Sequence, residues 1–186
     1  MNKSGPALLI IDMFTLFDFP EAGQVKPKAL EAARHISTLA QRFRAFGHPV
    51  IYANDNFANW QMDFKGLVRL CLGTEGESSA IAKILEPEHG DYFVLKPKHS
   101  AFLATPLAVL LAKLGIRELV VAGMTAESCI TATCFDGNAR EYDMIVVQEA
   151  VAGIGSRKTT ALRLLEGSKA ATVLKLASYL RRLGTG

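Results

Sequence analysis

Apolar and polar positions follow two rhythms along this chain. Short runs that are apolar almost throughout recur at intervals: "ALLII" (7–11), "PVIYA" (49–53), "YFVLK" (92–96), "ELVVA" (118–122) and "DMIVVQ" (143–148). Each is short enough for a buried strand. Helical spacing fills the gaps. Over 28–47, Leu30, Ala33, Ile36, Leu39, Ala40 and Phe43 recur at one-face intervals, and Gly47 marks a stop. Further helices are predicted over 78–85, over 106–115 with Pro106 near the first turn, over 126–141, and over 156–167 with Ser156 as candidate N-cap. Residues 54–75 read as loop with a short helix around 62–71. A last strand over 171–174 precedes a tail helix.

The strand runs do not alternate with polar residues. That marks strands buried on both faces, hence a parallel sheet covered by helices. The predicted fold class is α/β: an open, doubly wound, parallel β-sheet flanked by helices on both faces, a Rossmann-like three-layer sandwich. The 186 residues suit one domain spanning 1–186, with no linker or repeat. In such sheets ligands bind beyond the carboxyl ends of the strands, at the switch point in strand order. The residues there are Asp12 after the first strand, Asn54 and Asp55 at the second, Lys96 at the third, and Cys129 after the fourth.

Composition narrows the classes. Hydrophobic residues make up 49%, which is globular. A net charge of +3 with scattered cations leaves no nucleic-acid footprint; the pair Arg181-Arg182 reads as a solvated helix end. No run is long and apolar enough to span a bilayer, and the N-terminal apolar run breaks at Asp12 without a signal-peptide pattern. Three cysteines make no disulfide framework, so a reduced, cytoplasmic protein is the expectation.

A thiol with an ordinary pKa of about 8.5 is a weak nucleophile until a base takes its proton or a positive environment holds the anion. Cys129, near the start of a predicted helix, has candidates for both. Asp12 can accept the proton, Lys96 can balance the charge, and N–H groups along "TAESC" can receive an oxyanion. Singly, each has a plainer reading: a turn Asp, a solvated Lys, a small buried Cys. Their convergence on one sheet edge favours chemistry: attack on a carbonyl, then hydrolysis of a thioester.

Three blocks, "ALLIIDM", "VLKPKHSAF" and "GMTAESCITATCFD", resemble in order and spacing the isochorismatase-like cysteine hydrolases, from Ala7 to about Val151. That family includes nicotinamidases, N-carbamoyl amide hydrolases, ureidoacrylate-type hydrolases and isochorismatases. The resemblance implies a triad of Asp12 as general base, Lys96 as second member and Cys129 as nucleophile. It implies a cis peptide joining Met124 and Thr125, an oxyanion hole from the N–H groups of Thr125 and Cys129, and a homo-oligomer, dimer or larger. Isochorismatases proper lack the cysteine, so Cys129 points to acyl chemistry at a C–N bond. The region "NDNFANW" lacks the Asp-x-His unit by which nicotinamidases hold a metal, and the four histidines offer no cluster. Neither metal nor other cofactor is expected.

For the substrate pocket the candidates are Phe17, Asn54, Asn56, Trp60 and Phe102, offering aromatic faces for a flat substrate and amides to orient it. Packed loop and core readings stand beside this one. "VAGIGSR" (151–157) reads as an ordinary loop rather than a phosphate cradle. The expected activity is hydrolysis of a small amide, carbamoyl or ureido compound. The alternative is a catalytically silent protein of the same fold that binds a small metabolite or assembles with partners.

Overall fold

The apolar runs become strands because each is covered on both sides. In the computed structural model, which describes residues 5–57 and 60–184, all five residues of β1 (Ala7–Ile11) are buried. β1 lies inside a six-stranded sheet with β2 (Val50–Asp55), β3 (Tyr92–Lys96), β4 (Glu118–Gly123), β5 (Asp143–Val151) and β6 (Thr172–Leu174). The strand order is β3-β2-β1-β4-β5-β6, and every neighbouring pair is parallel. Alternate residues of β1 feed two cores. Leu8 and Ile10 pack with α1 (Ala22–Ala45), α2 (Phe64–Leu72), α3 (Glu77–Ile84) and α7 (Leu176–Leu183). Leu9 and Ile11 pack on the other face with α4 (Leu107–Leu114), α5 (Thr131–Asn138) and α6 (Gly155–Gly167). This is the three-layer α/β sandwich the patterning predicts. Among the described residues, no helix is long and apolar enough to cross a membrane.

The sheet order reverses between β1 and β4, so the loops leaving these two strands diverge and open a crevice. Strand register sets what stands there. Ile11 pairs with Gly123, and Asp55 pairs with Lys96. Four strands therefore end at nearly one level.

Several elements differ from the periodicity. α1 starts at Ala22 rather than 28 and carries Pro27 inside it. Proline costs a helix one N–H bond, but burial of Ala22 and Val25 holds the extra turn. The stretch 126–141 is not one helix: Ala126–Ile130 forms a π-helical turn and α5 follows it. Ser156 is not a cap; the α6 N-cap position is Ile154, with no side-chain capping bond. α2, in contrast, is capped by Asp63, whose Oδ1 accepts the Gly66 N–H at 2.6 Å.

One glycine is dictated by the crevice. Gly123 has φ of 116°, and a Cβ there would lie 2.1 Å from the Ile11 carbonyl oxygen. Backbone strain and the clash act together, so Gly123→Ala should destabilise the fold by about 3 kcal/mol. Urea or thermal unfolding measures this; an unchanged midpoint would show that β1 and β4 can separate freely at their ends.

Candidate active site

Asp12 is the first residue past β1, and its φ of 54° lies in the left-handed region that Asp tolerates better than most residues. Its N–H donates to the Ala53 carbonyl at 3.0 Å. Its Oδ1 accepts the Asp55 N–H at 2.7 Å, and its Oδ2 lies 2.8 Å from Lys96 Nζ. Both oxygens are thereby fixed.

Lys96 ends β3, two strands away, and its side chain reaches across the end of β2 to Asp12. It is fully buried, with a side-chain exposure of 0%. The ammonium donates to the Lys98 carbonyl at 3.3 Å and stands 3.7 Å from Cys129 Sγ and 3.9 Å from Asp55 Oδ2. A buried ammonium needs such compensation.

Cys129 sits in the π-helical turn between β4 and α5. The turn is pinned from below by the loop after β5. Ala126 N–H donates to the Ala152 carbonyl at 2.9 Å, and Ala152 N–H donates to the Gly123 carbonyl at 2.9 Å. Ile154 N–H donates to Glu127 Oε1 at 3.2 Å. The peptide joining Met124 and Thr125 is cis. Beside the thiol, Ser128 Oγ lies 3.9 Å from Cys129 Sγ and 3.0 Å from His99 Nδ1.

Burial governs the protonation of the group. It pushes the Asp12 carboxyl above the usual carboxylate range, against the pull of Lys96 and of hydrogen bonds from Cys129 and Lys96. Burial, then repulsion by Asp12, pushes the Cys129 thiol up to about 12, with Lys96 opposing. For Lys96 burial works downward, but Asp12, Cys129 and Asp55 together raise it above its ordinary value. The resting site thus holds an ammonium and a neutral thiol beside a carboxyl able to take up a proton. This departs from a standing thiolate held at a helix start. Cys71 and Cys134 are fully buried in the cores.

Above these residues opens a cleft of about 520 Å³. Its walls include Phe14, Leu16, Phe19, Phe57 and Met124, with Asp12, Thr125 and Cys129 at the floor and Asp18, Asp55 and His99 around it. A larger groove of about 600 Å³ runs between α1 and α6, but its charged side chains are Lys28, Lys158 and Arg163 opposite Glu31, Glu149 and Glu166, with no cysteine or histidine. The smaller cleft is the one that the reactive side chains line. Among the described residues, no three His, Cys, Asp or Glu side chains group as metal ligands.

The pocket candidates fare unequally. Asn54 lines the cleft, but its amide is committed to backbone: Oδ1 accepts the Phe14 N–H at 3.0 Å, and Nδ2 donates to the carbonyls of Phe14 and Asp55 at 2.8 and 3.0 Å. It holds the loop after β1. Phe17 does not line the cleft; it is buried in the α1-side core beside Phe19, with Lys26 Nζ 5.7 Å from its ring centre. Asn56 is buried and spends its Oδ1 on the Trp60 N–H at 3.1 Å. Trp60 is 62% exposed and outside the cleft lining. Phe102 stacks on Tyr142 in the opposite core, with Arg140 over its ring. The aromatic walls come instead from Phe14, Phe19 and Phe57. His99 and Ser128 also line the cleft, three residues after Lys96 and one before Cys129, a spacing that carries no signal of its own in the sequence.

A family model, the isochorismatase domain, matches residues 6–178. The chain belongs to the isochorismatase family. It is 35% identical over 152 residues to an uncharacterised isochorismatase family protein, YaaI, of Bacillus subtilis, covering 82% of this chain and 83% of that one. It is 30% identical over 152 residues to a maleamate amidohydrolase of Pseudomonas putida, covering 78% of this chain and 71% of that one. Among solved structures, an N-carbamoylsarcosine amidase from Thermoplasma acidophilum superposes with a TM-score of 0.69 at 28% identity, covering 92% of this chain and 96% of that one. The isochorismatase-family match contains the Asp12, Lys96 and Cys129 positions.

The raised thiol has a direct optical consequence. The thiolate absorbance of the wild type minus that of Cys129→Ala should be absent at neutral pH and rise only well above the ordinary midpoint of about 8.5. Asp12→Asn removes the repelling carboxylate and leaves Lys96 in place, so it should move that midpoint downward. A midpoint at or below the ordinary value in the wild type would refute the burial argument.

Proposed function

We propose that this isochorismatase-family hydrolase cleaves the C–N bond of a small amide, carbamoyl or ureido compound, through a thioester on Cys129. One observation carries the reading: the fully buried Lys96 ammonium stands 2.8 Å from Asp12 Oδ2 and 3.7 Å from Cys129 Sγ. An amidohydrolase and an amidase among the relatives agree with the bond type.

In this mechanism the Asp12 carboxylate takes the thiol proton as sulfur attacks the substrate carbonyl carbon. The C–S bond forms and the carbonyl electron pair moves to oxygen, where the N–H groups of Thr125 and Cys129 receive the oxyanion. The intermediate collapses, the C–N bond breaks, and Asp12 returns its proton to the leaving nitrogen. Water then enters. Asp12 takes one of its protons, the oxygen attacks the thioester, and the C–S bond breaks. The acid leaves, and the proton on Asp12 returns to sulfur. Lys96 keeps the net charge of the buried group near zero throughout.

Asp55 and Asn54 act by positioning. The Asp55 N–H orients Asp12 Oδ1, and the Asn54 side chain holds the Phe14 backbone that shapes the wall. No metal or other cofactor takes part in these steps.

Ammonia release, screened over primary amides, carbamoyl compounds and ureido acids, tests the reading. Cys129→Ala should lower turnover by roughly 10³-fold or more while keeping the wild-type circular dichroism. Turnover that survives that substitution would remove Cys129 as nucleophile. Binding without turnover by the wild type, over the whole screen, would favour the silent binding protein.

The pH dependence has a definite sign. Asp12 acts as base only when ionised, and its pKa is raised, so kcat/KM should fall as pH drops through a midpoint above the usual carboxylate value of about 3.9. Asp12→Asn should remove that acid limb and cost roughly 10²- to 10⁴-fold in rate. An acid limb unchanged in this variant would assign the base to another group.

A further inference from the structure

The walls of the cleft say more than the triad does. Their apolar surface is supplied by Phe14, Leu16, Phe19, Phe57 and Met124. The carboxylates around it are Asp18 and Asp55, beyond Asp12 at the floor. Among the described residues that line the cleft, none is a lysine or an arginine. The nearest ammonium, Lys96, is fully buried beneath the floor, with Asp12 Oδ2 at 2.8 Å, the Lys98 carbonyl at 3.3 Å, Cys129 Sγ at 3.7 Å and Asp55 Oδ2 at 3.9 Å around it. His99, the remaining titratable side chain of the lining, shares a hydrogen bond with Ser128 through Nδ1.

A substrate carboxylate is ordinarily held by an arginine fork or a lysine point charge. Here it would meet two carboxylates beside apolar walls, with no lysine or arginine of the lining to offset them. Lys28, Lys158 and Arg163 lie in the separate groove between α1 and α6. From this juxtaposition we infer that the cleft selects small amides whose non-reacting end is apolar and uncharged or cationic, and rejects those that carry a carboxylate. The inference rests on the hydrolase reading above and specifies the substrate class of the same site.

Apolar walls alone would accept a neutral substrate without ranking charged ones. Asp18 supplies the ranking. It is exposed at the cleft and outside the triad, so its charge can be removed without touching Asp12, Lys96 or Cys129.

Two near-isosteric alkylating agents read the field at Cys129 without knowledge of the natural substrate. The full chain is treated at about pH 8, where imidazole is ordinarily neutral, with iodoacetamide or iodoacetate, and Cys129 is followed by peptide mapping. The sulfur displaces iodide from either agent. The rate ratio of amide to acetate at Cys129 should exceed the ratio for the same cysteine in the urea-unfolded chain by about tenfold or more. Asp18→Asn should lower that excess. A second readout uses meta-toluamide, meta-(aminomethyl)benzamide and meta-carboxybenzamide, of which the last should be the poorest substrate by a similar factor. Iodoacetate reacting as fast as iodoacetamide, or hydrolysis of the carboxylate probe at the rate of the toluamide, in either case lost in Cys129→Ala, overturns this inference and leaves the nucleophile in place. Turnover that survives Cys129→Ala overturns the nucleophile reading and this inference with it.

Discussion

A lysine with no exposed side-chain surface organises the carboxyl-end edge of this sheet. Transfer of an ammonium from water into a packed interior is costly unless opposite charge and hydrogen bonds meet it. Lys96 is met by Asp12 from β1, by Asp55 from the end of β2, by a carbonyl of its own loop, and by the sulfur of the turn after β4. One cation thus ties together the ends of four strands. The parallel sheet makes this feasible, because all six strands point the same way and their carboxyl ends share one edge. The reversal of strand order between β1 and β4 leaves room above the group for a ligand.

Much of this was legible in the sequence, for reasons that differ by residue. The strands were legible because a strand covered on both faces must be apolar throughout, and "ALLII" and "ELVVA" are. Asp12 and Lys96 stood out because each is a reactive residue at the end of, or just past, such a run, where backbone direction fixes its place, and Cys129 because its loop leaves the same sheet edge. Side-chain destinations were less legible. Phe17 and Phe102 are aromatic residues near the cleft in sequence, but which way they turn depends on cores assembled from distant helices. Asn54 lines the cleft as its position implies, but its bonds to Phe14, 40 residues earlier, could not be read from sequence. The π-helical turn was invisible for a related reason. Its hydrogen bonds to the loop at Ala152 and Ile154 set its shape, and local periodicity carries no trace of them.

The turn also explains why the cysteine is not simply a helix-start thiolate. A helix N-terminus favours an anion, but Cys129 lies late in an irregular turn, half-buried, beside a carboxylate. Desolvation and Asp12 outweigh Lys96, and the thiol stays protonated at rest. A neutral thiol is a poorer nucleophile and a poorer target for oxidants than a thiolate. In the proposed mechanism the sulfur stays a neutral thiol until a carbonyl carbon is within reach and Asp12 can take its proton.

The charge count shows where it goes. At rest the buried group consists of a carboxylate, an ammonium and a neutral thiol, with a net charge of zero. In the proposed attack the proton moves from sulfur to Asp12, and the group becomes a carboxylic acid, an ammonium and a developing thiolate. The net charge is again zero. Burial raises the pKa of both Asp12 and Cys129, so it penalises the anion at either position. Lys96 is the constant in both states. With it, the buried charge stays balanced while one proton changes hands; without it, the same pocket would carry an uncompensated anion before and after the transfer. The lysine that holds four strand ends in register is thus also the group that makes a buried carboxylate and a buried thiol compatible in one site.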